Sequence, residues 1–394
     1  MTGAERKDTP GRVPFRHDSD KLAILYQAVV LGLVLLLGYY FFYNAQTNLQ
    51  RQSIATGFGF VNKEAGFEIG EAVIHYSAAD TYARALLAGL LNTLKVSSLG
   101  IVLTILLGII VGVARLSTNW LVSRLAAVYT EFLQNIPVLL QLFFWYSIFH
   151  DTLPLPRQSL HPLPGVFFNT RGFYYPFPAY HPAYIWAGLA GIVALLAGYF
   201  LKKWARVRQN KTGRYFPAGL VSAGLAVLLP VLVWAVGGAP VELSIPHLSG
   251  FNFEGGINFS PEFGALLLGL VLYTSAFVAE IVRTGIQAIS KGQTEAAISL
   301  GLKPRRVLSL VILPQALRVI IPPLTSQMLN LTKNSSLAVA IGFPDFVAVA
   351  NTTINQTGQA IEGVALIMVV YLFISLLTSA FMNWYNKKKA LVER

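Results

Sequence analysis

The chain has 394 residues, of which 54% are hydrophobic and only 12% charged. Soluble domains carry about 25% charged residues, so lipid is the solvent of most of this chain. Its net charge is +12, from 30 Lys and Arg against 18 Asp and Glu, and the absence of Cys excludes disulfides, thiolate metal sites and cysteine nucleophiles. The basic residues lie between apolar runs, which is the membrane-surface pattern and argues against a nucleic-acid partner. The six His are scattered through hydrophilic segments and never paired at i, i+3 or i+4, so no metal site is expected.

Residues 1–21 are polar and basic and read as a cytoplasmic tail. The run 22–43, "LAILYQAVVLGLVLLLGYYFFY", is long enough for a bilayer core of about 30 Å at about 1.5 Å per residue. It lacks a small-x-small cleavage site and is expected to remain as an uncleaved helix, followed by an outer loop to residue 80. Residues 81–150 hold spans at 81–113 and 122–149. Residues 151–261 hold outer loops around a hairpin of spans 183–201 and 216–237. Residues 262–386 hold spans 262–286, 306–341 and 360–385, and 387–394 form a second cytoplasmic tail. The expected fold is an all-α polytopic membrane protein of about eight spans.

Basic residues orient these spans. With both termini in the cytoplasm, the inner segments hold 22 Lys and Arg and the outer loops hold four, Arg51, Lys63, Arg157 and Arg171. A seven- or nine-span chain places a basic cluster on the wrong side.

On this topology "GQTEAAISLG", residues 292–301, faces the cytoplasm. Gln293 or Thr294 can cap a short helix, and Glu295 in its first turn suits the helix dipole. Gly301 can end it, and Pro304 can open the next helix. Ala296, Ala297 and Gly301 leave room for another surface to approach, while Ile298, Leu300 and Leu302 offer apolar knobs. A docking element for a cytoplasmic partner and a loop helix capped for its own sake both fit this stretch.

Polar groups inside spans need a reason, because charge in hydrocarbon costs several kcal/mol. Of the acids, only Glu131 and Glu280 fall well within spans. Glu131 precedes Asn135 by four residues on one helical face, and Pro137 frees a carbonyl one turn back. This patch suits a translocation path, or a carboxylate paired locally near an interface. Glu280 and Arg283 stand at i, i+3 and pair with each other or the adjacent loop, or serve as a gate or substrate contact. Arg84 and Lys95 are expected to snorkel at the outer end of their span. Asn334, Ser335 and Ser336 in "LTKNSSLAV" supply donors and acceptors for a polar substrate along a path, or for bonds between helices.

The pattern Glu295-Ala296-Ala297, three residues, Gly301, then "ILPQA" resembles the EAA loop of importer permeases of the ATP-binding cassette superfamily. Within them "YTSAFVAEIVRTGIQAISKGQTEAA", "LTKNSSLAVAIGFPDF" and "YTEFLQNIPVLLQLFFWY" resemble the polar amino-acid uptake branch of histidine- and glutamate-type permeases. The stretches "GFGFVNKEAGFEIG" and "RLSTNWLVSRL" are similar to its general L-amino-acid permeases. The likeness runs from residue 22 onward. It implies a five-helix type I importer core, built from spans 81–113, 122–149, 262–286, 306–341 and 360–385. The first span and the 183–237 hairpin are additions.

The resemblance further implies a permease subunit of an amino-acid importer in the bacterial inner membrane, probing a broad L-amino-acid range. Its partners are a cytoplasmic ATPase dimer, a related but non-identical second permease and a periplasmic amino-acid-binding protein. Glu295, Ala296, Ala297 and Gly301 take the coupling role, and Asn334 stands where members carrying cationic amino acids often have Asp. The chain has no GxxxxGK[ST] match, so ATP and Mg are expected on the partner ATPase and no cofactor on this chain. An ion-coupled transporter leaves the EAA loop unexplained and needs more buried carboxylates. An intramembrane enzyme lacks Cys, paired His in a span and an Asp–Asp arrangement.

Overall fold

The computed structural model describes residues 19–51 and 56–389. Residues 1–18 and 390–394 of the two expected tails lie outside that range. Helix α1 (Ser19–Arg51) precedes a short outer segment, residues 56–81, and α2 (Tyr82–Ala114). The expected span at 122–149 is broken. Helix α3 (Trp120–Asn135) and α4 (Val138–Ser147) meet at Ile136–Pro137 with a bend of 101°.

The outer loops flanking the inserted hairpin are not plain loops. Strands β1 (Phe167–Asn169), β2 (Gly172–Tyr175) and β3 (Phe177–Pro178) precede α5 (Pro182–Thr212) and α6 (Ala218–Val236). Strands β4 (Leu243–Ser244), β5 (His247–Ser249), β6 (Asn252–Glu254) and β7 (Ile257–Phe259) follow. An antiparallel sheet runs β1-β2-β7, and β3 pairs with β4 and β5 with β6. Because β2 joins β7 and β3 joins β4, residues before and after the hairpin are stapled together at its outer end. Aromatic contacts fill this layer, Phe167 on Phe253 at 4.5 Å and Tyr174 on Phe253 at 5.0 Å. The strands are too short and aromatic-rich for alternation to announce them.

The remaining core follows: α7 (Pro261–Gln287), α8 (Lys291–Ser299), α9 (Pro304–Val307) and α10 (Leu313–Asn334). A π-helical turn links α9 to α10, and a 3-10 stretch, Ser335–Ile341, continues α10. Helix α11 (Phe346–Thr357), which the sequence reading left between spans, and α12 (Ala360–Lys389) complete the chain. Among the described residues, seven helices are long and apolar enough to cross a membrane, or eight if the α3–α4 pair is one span.

Helix α7 is the hub, with α2, α3, α4 and α10 against it. Small residues let α2 and α7 approach closely. A Cβ on Gly108 would lie 2.4 Å from Val278 Cγ1, and one on Gly112 would lie 2.7 Å from the Ala279 carbonyl oxygen. The outer half of this core packs Val96, Leu142, Leu266, Leu270 and Phe343. Helices α1, α5, α6 and α12 instead expose Leu, Val, Ile and Phe along their length, as lipid contact requires.

Polar knots close the outer side. The Glu71 carboxylate accepts from Lys95 at 2.5 Å and from the Ser260 backbone N–H at 3.1 Å, while Asn92 donates to the Glu71 and Pro344 carbonyls. Lys95 also lies 4.3 Å from the Phe263 ring centroid, so it is paired rather than snorkelling. Arg84 likewise turns back to the His75 carbonyl and to Asp80. Asp80 is held below the usual carboxylate range, chiefly by the Ser77 backbone N–H.

Asp345 caps α11 through the Ala348 N–H at 2.8 Å and is wholly buried against Tyr371 of α12. Burial pushes its carboxyl up to about 7, outweighing the N–H donors of Ala348 and Val347 and the Tyr371 hydroxyl, which lower it. The folded value exceeds the ordinary one of 3.8, so between roughly pH 4 and pH 7 the folded chain holds a proton that the unfolded chain has lost. Stability from this site is therefore present at low pH and declines as pH rises through that window. Asp345→Asn keeps an acceptor for Ala348 and removes the titration. Its Tm advantage over the native chain is expected to grow from pH 5 to pH 7 in detergent and then level off. A constant offset across that range excludes Asp345 as the titrating group.

Candidate functional site

The cytoplasmic candidate is α8. It starts at Lys291 after extended Ser290, three residues earlier than the expected Thr294 start, and neither Gln293 nor Thr294 makes a capping bond. Its end is as anticipated. Gly301 takes φ +76°, the Gly301 N–H bonds the Ile298 carbonyl and the Leu302 N–H bonds that of Ala297, a Schellman closure. Pro304 then opens α9. Glu295, Ala296 and Gly301 are exposed and Ala297 is turned inward. Leu300, 83% exposed, and Ile298, 54% exposed, form an apolar knob on a surface otherwise bearing Lys291, Lys303, Arg305 and Arg306. An exposed apolar knob set among cations is a surface suited to protein contact.

Above α8, Glu280 lies between two guanidinium groups. It bonds Arg283 of its own helix and Arg115 at the inner end of α2, and Arg283 reaches on to Gln287 at 2.6 Å. Arg115 was absent from the sequence reading. It stands just past an apolar run and reads there as an orientation signal alone. The pair ties the inner ends of α2 and α7, the same helices joined by the glycine contacts.

At the α3–α4 break, Glu131 and Asn135 are both exposed, and Asn135 donates to the Glu131 carbonyl at 2.7 Å. Gln141, also missed, explains how the break survives in lipid. Its side-chain amide donates to the Leu133 and Ile136 carbonyls, at 2.9 and 3.0 Å, which the bend leaves without helical partners. A lone Gln within "IPVLLQLFF" was the signal. Tyr129 and Gln134 fasten α3 to α7 through Ser275 and the Ala276 carbonyl.

The third candidate does not act as one unit. Ser335 is fully buried and donates to the Thr332 carbonyl, whereas Ser336 donates to the Lys333 carbonyl and Asn334 is half-buried. The more extensive feature is α10 itself. Ala316, Ile320, Met328 and Leu331 are buried on one face. Arg318, Pro322, Ser326, Asn330 and Lys333 are exposed on the other, at helical spacing. That arrangement is the reverse of a lipid-facing helix such as α12, whose exposed residues are Val364, Met368, Leu372 and Leu376. Lys333 has no ion-pair partner among the described residues. A charged and amide-bearing face cannot rest on acyl chains, so water or protein must lie against it.

At the outer side, a cavity of about 490 Å³ opens between core and insert, lined among others by Glu68, Arg171, Asn258, Glu262 and Pro344. Among the described residues there is no cluster of three or more His, Asp or Glu able to hold a metal ion.

These features define a polytopic membrane protein, with an exposed apolar knob on α8 and a polar face along α10. The chain belongs to the binding-protein-dependent transport system inner membrane component family, whose model matches residues 104–390. It is 48% identical over 380 residues to the general L-amino acid transport system permease protein AapQ of Rhizobium johnstonii, covering 96% of this chain and 94% of that one. It is 46% identical over 390 residues to the putative amino-acid ABC transporter permease protein YhdX of Escherichia coli, with 99% of each covered. The glutamate/glutamine/aspartate/asparagine transport system permease protein BztB of Rhodobacter capsulatus is 41% identical, with 96% of each covered.

Removing the carboxylate of the inner cluster leaves two cations facing each other. Glu280→Gln is expected to cost about 1.5–3 kcal/mol, the range for hydrogen bonds to charged groups, and to lower Tm in detergent. Joint Arg115→Met and Glu280→Met is expected to be milder, because it leaves one fewer charge unmatched. An unchanged Tm for Glu280→Gln shows that the cluster holds nothing together.

Proposed function

We propose that this chain is the permease subunit of an ATP-driven amino-acid importer of the bacterial inner membrane, with both termini cytoplasmic. It forms half of the translocation path for a broad range of L-amino acids. The observation that carries this reading is the exposed polar face of α10, which has no place in a helix surrounded by lipid. A related, non-identical second permease faces it and completes a water-filled path. Along that path Lys333 offers donors to the α-carboxylate common to all amino acids, and the side-chain carbonyl of Asn334 offers an acceptor to the ammonium. Asn330, Ser336 and the Glu131–Asn135 patch offer acceptors to the ammonium.

Energy reaches the path from below. The α8 knob, Ile298 and Leu300 beside Glu295, Ala296 and Gly301, seats in a groove of a cytoplasmic ATPase dimer, which holds the ATP and Mg. The Glu280–Arg283–Arg115 cluster then transmits movement of α8 to the inner ends of α2 and α7. A periplasmic amino-acid-binding protein delivers substrate at the outer cavity.

The path is tested by single cysteines, which the native chain lacks. Ser326→Cys and Asn330→Cys are expected to react with a membrane-impermeant thiol reagent in the assembled importer, and Met368→Cys and Leu372→Cys to stay unreactive. Equal protection of all four removes the path from α10. Asn334→Asp adds an anion where an ammonium passes, and is expected to shift uptake toward Lys and Arg or to stop it. An unchanged rate and substrate ranking places Asn334 outside the path.

The docking role predicts that Leu300→Glu reduces uptake more than about tenfold, the factor for each 1.4 kcal/mol of lost contact, with normal membrane insertion. Full uptake by that variant excludes α8 as the coupling element.

A further inference from the structure

The α5–α6 hairpin carries a basic tip with no assigned partner. Ser222 of α6 donates to the Gly198 carbonyl of α5, which fixes the two helices side by side. Ala218, the first residue of α6, is therefore level with Lys202. Helix α5 continues past this level to Thr212, about 15 Å further at about 1.5 Å per residue. The chain turns at Gly213, φ +68°, and returns through residues 214–217, where Phe216 packs edge-on against Trp204 at 5.6 Å.

This projection holds Lys202, Lys203, Arg206, Arg208, Lys211 and Arg214, and no acid occurs between Asp151 and Glu242. None of the six forms an ion pair among the described residues. All but Arg208 are exposed, and Arg208 lies over the Trp204 ring at 5.2 Å. The cations occupy every side of the α5 extension. That distribution suits a surrounding layer of anions better than one flat protein groove. The first of them emerge where the apolar stretch ends, together with Trp204, the level at which aromatic and basic side chains meet headgroups.

We propose that the hairpin tip is a binding site for anionic phospholipid headgroups of the inner leaflet, with Lys202, Lys203 and Arg206 holding phosphodiesters and Trp204 set among their glycerol backbones. An excess of basic residues also orients membrane segments during insertion, but that role depends on charge in the loop and not on its depth. Clusters of basic residues directly beyond a span bind anionic lipid through each cation near the surface, and the attraction fades within a Debye length of about 8 Å. Depth therefore separates the two roles.

The test uses the full chain in its assembled importer, purified from mixed phosphatidylglycerol and phosphatidylcholine, with retained lipids counted by native mass spectrometry. The native chain is expected to retain phosphatidylglycerol preferentially. Lys202→Gln with Lys203→Gln and Arg206→Gln is expected to lower that preference by about fivefold per cation. A second variant, Lys202→Gln and Lys203→Gln with Asn210→Lys and Thr212→Lys, conserves loop charge and hence insertion. It moves two cations about 12–14 Å outward and is also expected to lose preference. Full retention of phosphatidylglycerol by this second variant, or its displacement by excess inorganic phosphate, overturns the lipid site.

Discussion

Hydrocarbon supplies no hydrogen bonds, so each polar group placed in it must bring its own partner, and this requirement organises the chain. Thr284, Thr325, Thr332 and Thr378 return their hydroxyls to carbonyls a turn earlier in their own helices. The α3–α4 break is affordable because Gln141 occupies its freed carbonyls. Glu280 is matched by two arginines rather than one. The buried hydroxyls of Ser97, Thr104 and Thr274 are exceptions, with no partner among the described residues, but they are single groups; the exposed polar side of α10 stands out as a whole face meant for something other than lipid.

The same requirement explains how one chain combines a rigid centre with lipid-bathed additions. Helix α7 meets α2 through glycines below and through the Glu71–Lys95–Ser260 knot above, so the two move as one body. Helix α10 reaches this body through Ile320, which fills the space left by Gly285. Its interior prolines, Pro322 and Pro323, lack the N–H groups that stiffen a helix. The hairpin is attached by strands on the outer side, so it adds surface without altering the order of core helices.

Much of this was legible in the sequence because lipid imposes a simple code. Apolar length marked the spans, basic residues ordered them, and Glu295-Ala296-Ala297 with Gly301 and Pro304 marked the α8 turn. Length failed at 122–149, since periodicity cannot report a bend, although Pro137 announced the place. The triplet Asn334, Ser335 and Ser336 read as one lining because adjacency in sequence was taken for adjacency in space. A helix tightening at Ser335 sends the three side chains in different directions. The face containing Ser326 and Asn330 escaped because its polar residues are four apart and diluted by apolar neighbours. The sheets at 167–178 and 243–259 escaped because β2 and β3 find their partners β7 and β4 far along the chain, as Tyr174 does in Asn258 and Phe177 in Ser244.

That separation bears on how the chain is made. Residues 115–260 lie between the end of α2 and the start of α7, so α2 enters the membrane long before its main neighbour exists. Its Thr93 awaits the backbone N–H of Phe346, and its Asn92 awaits the Pro344 carbonyl. The hairpin, by contrast, is complete once its own loop has been synthesised. A nascent chain thus carries a finished, self-contained hairpin beside an α2 whose Asn92 has only its Glu71 partner and whose Thr93 still lacks the Phe346 N–H. A chain stopped anywhere before residue 346 therefore leaves Thr93 without the backbone N–H that it accepts in the folded protein.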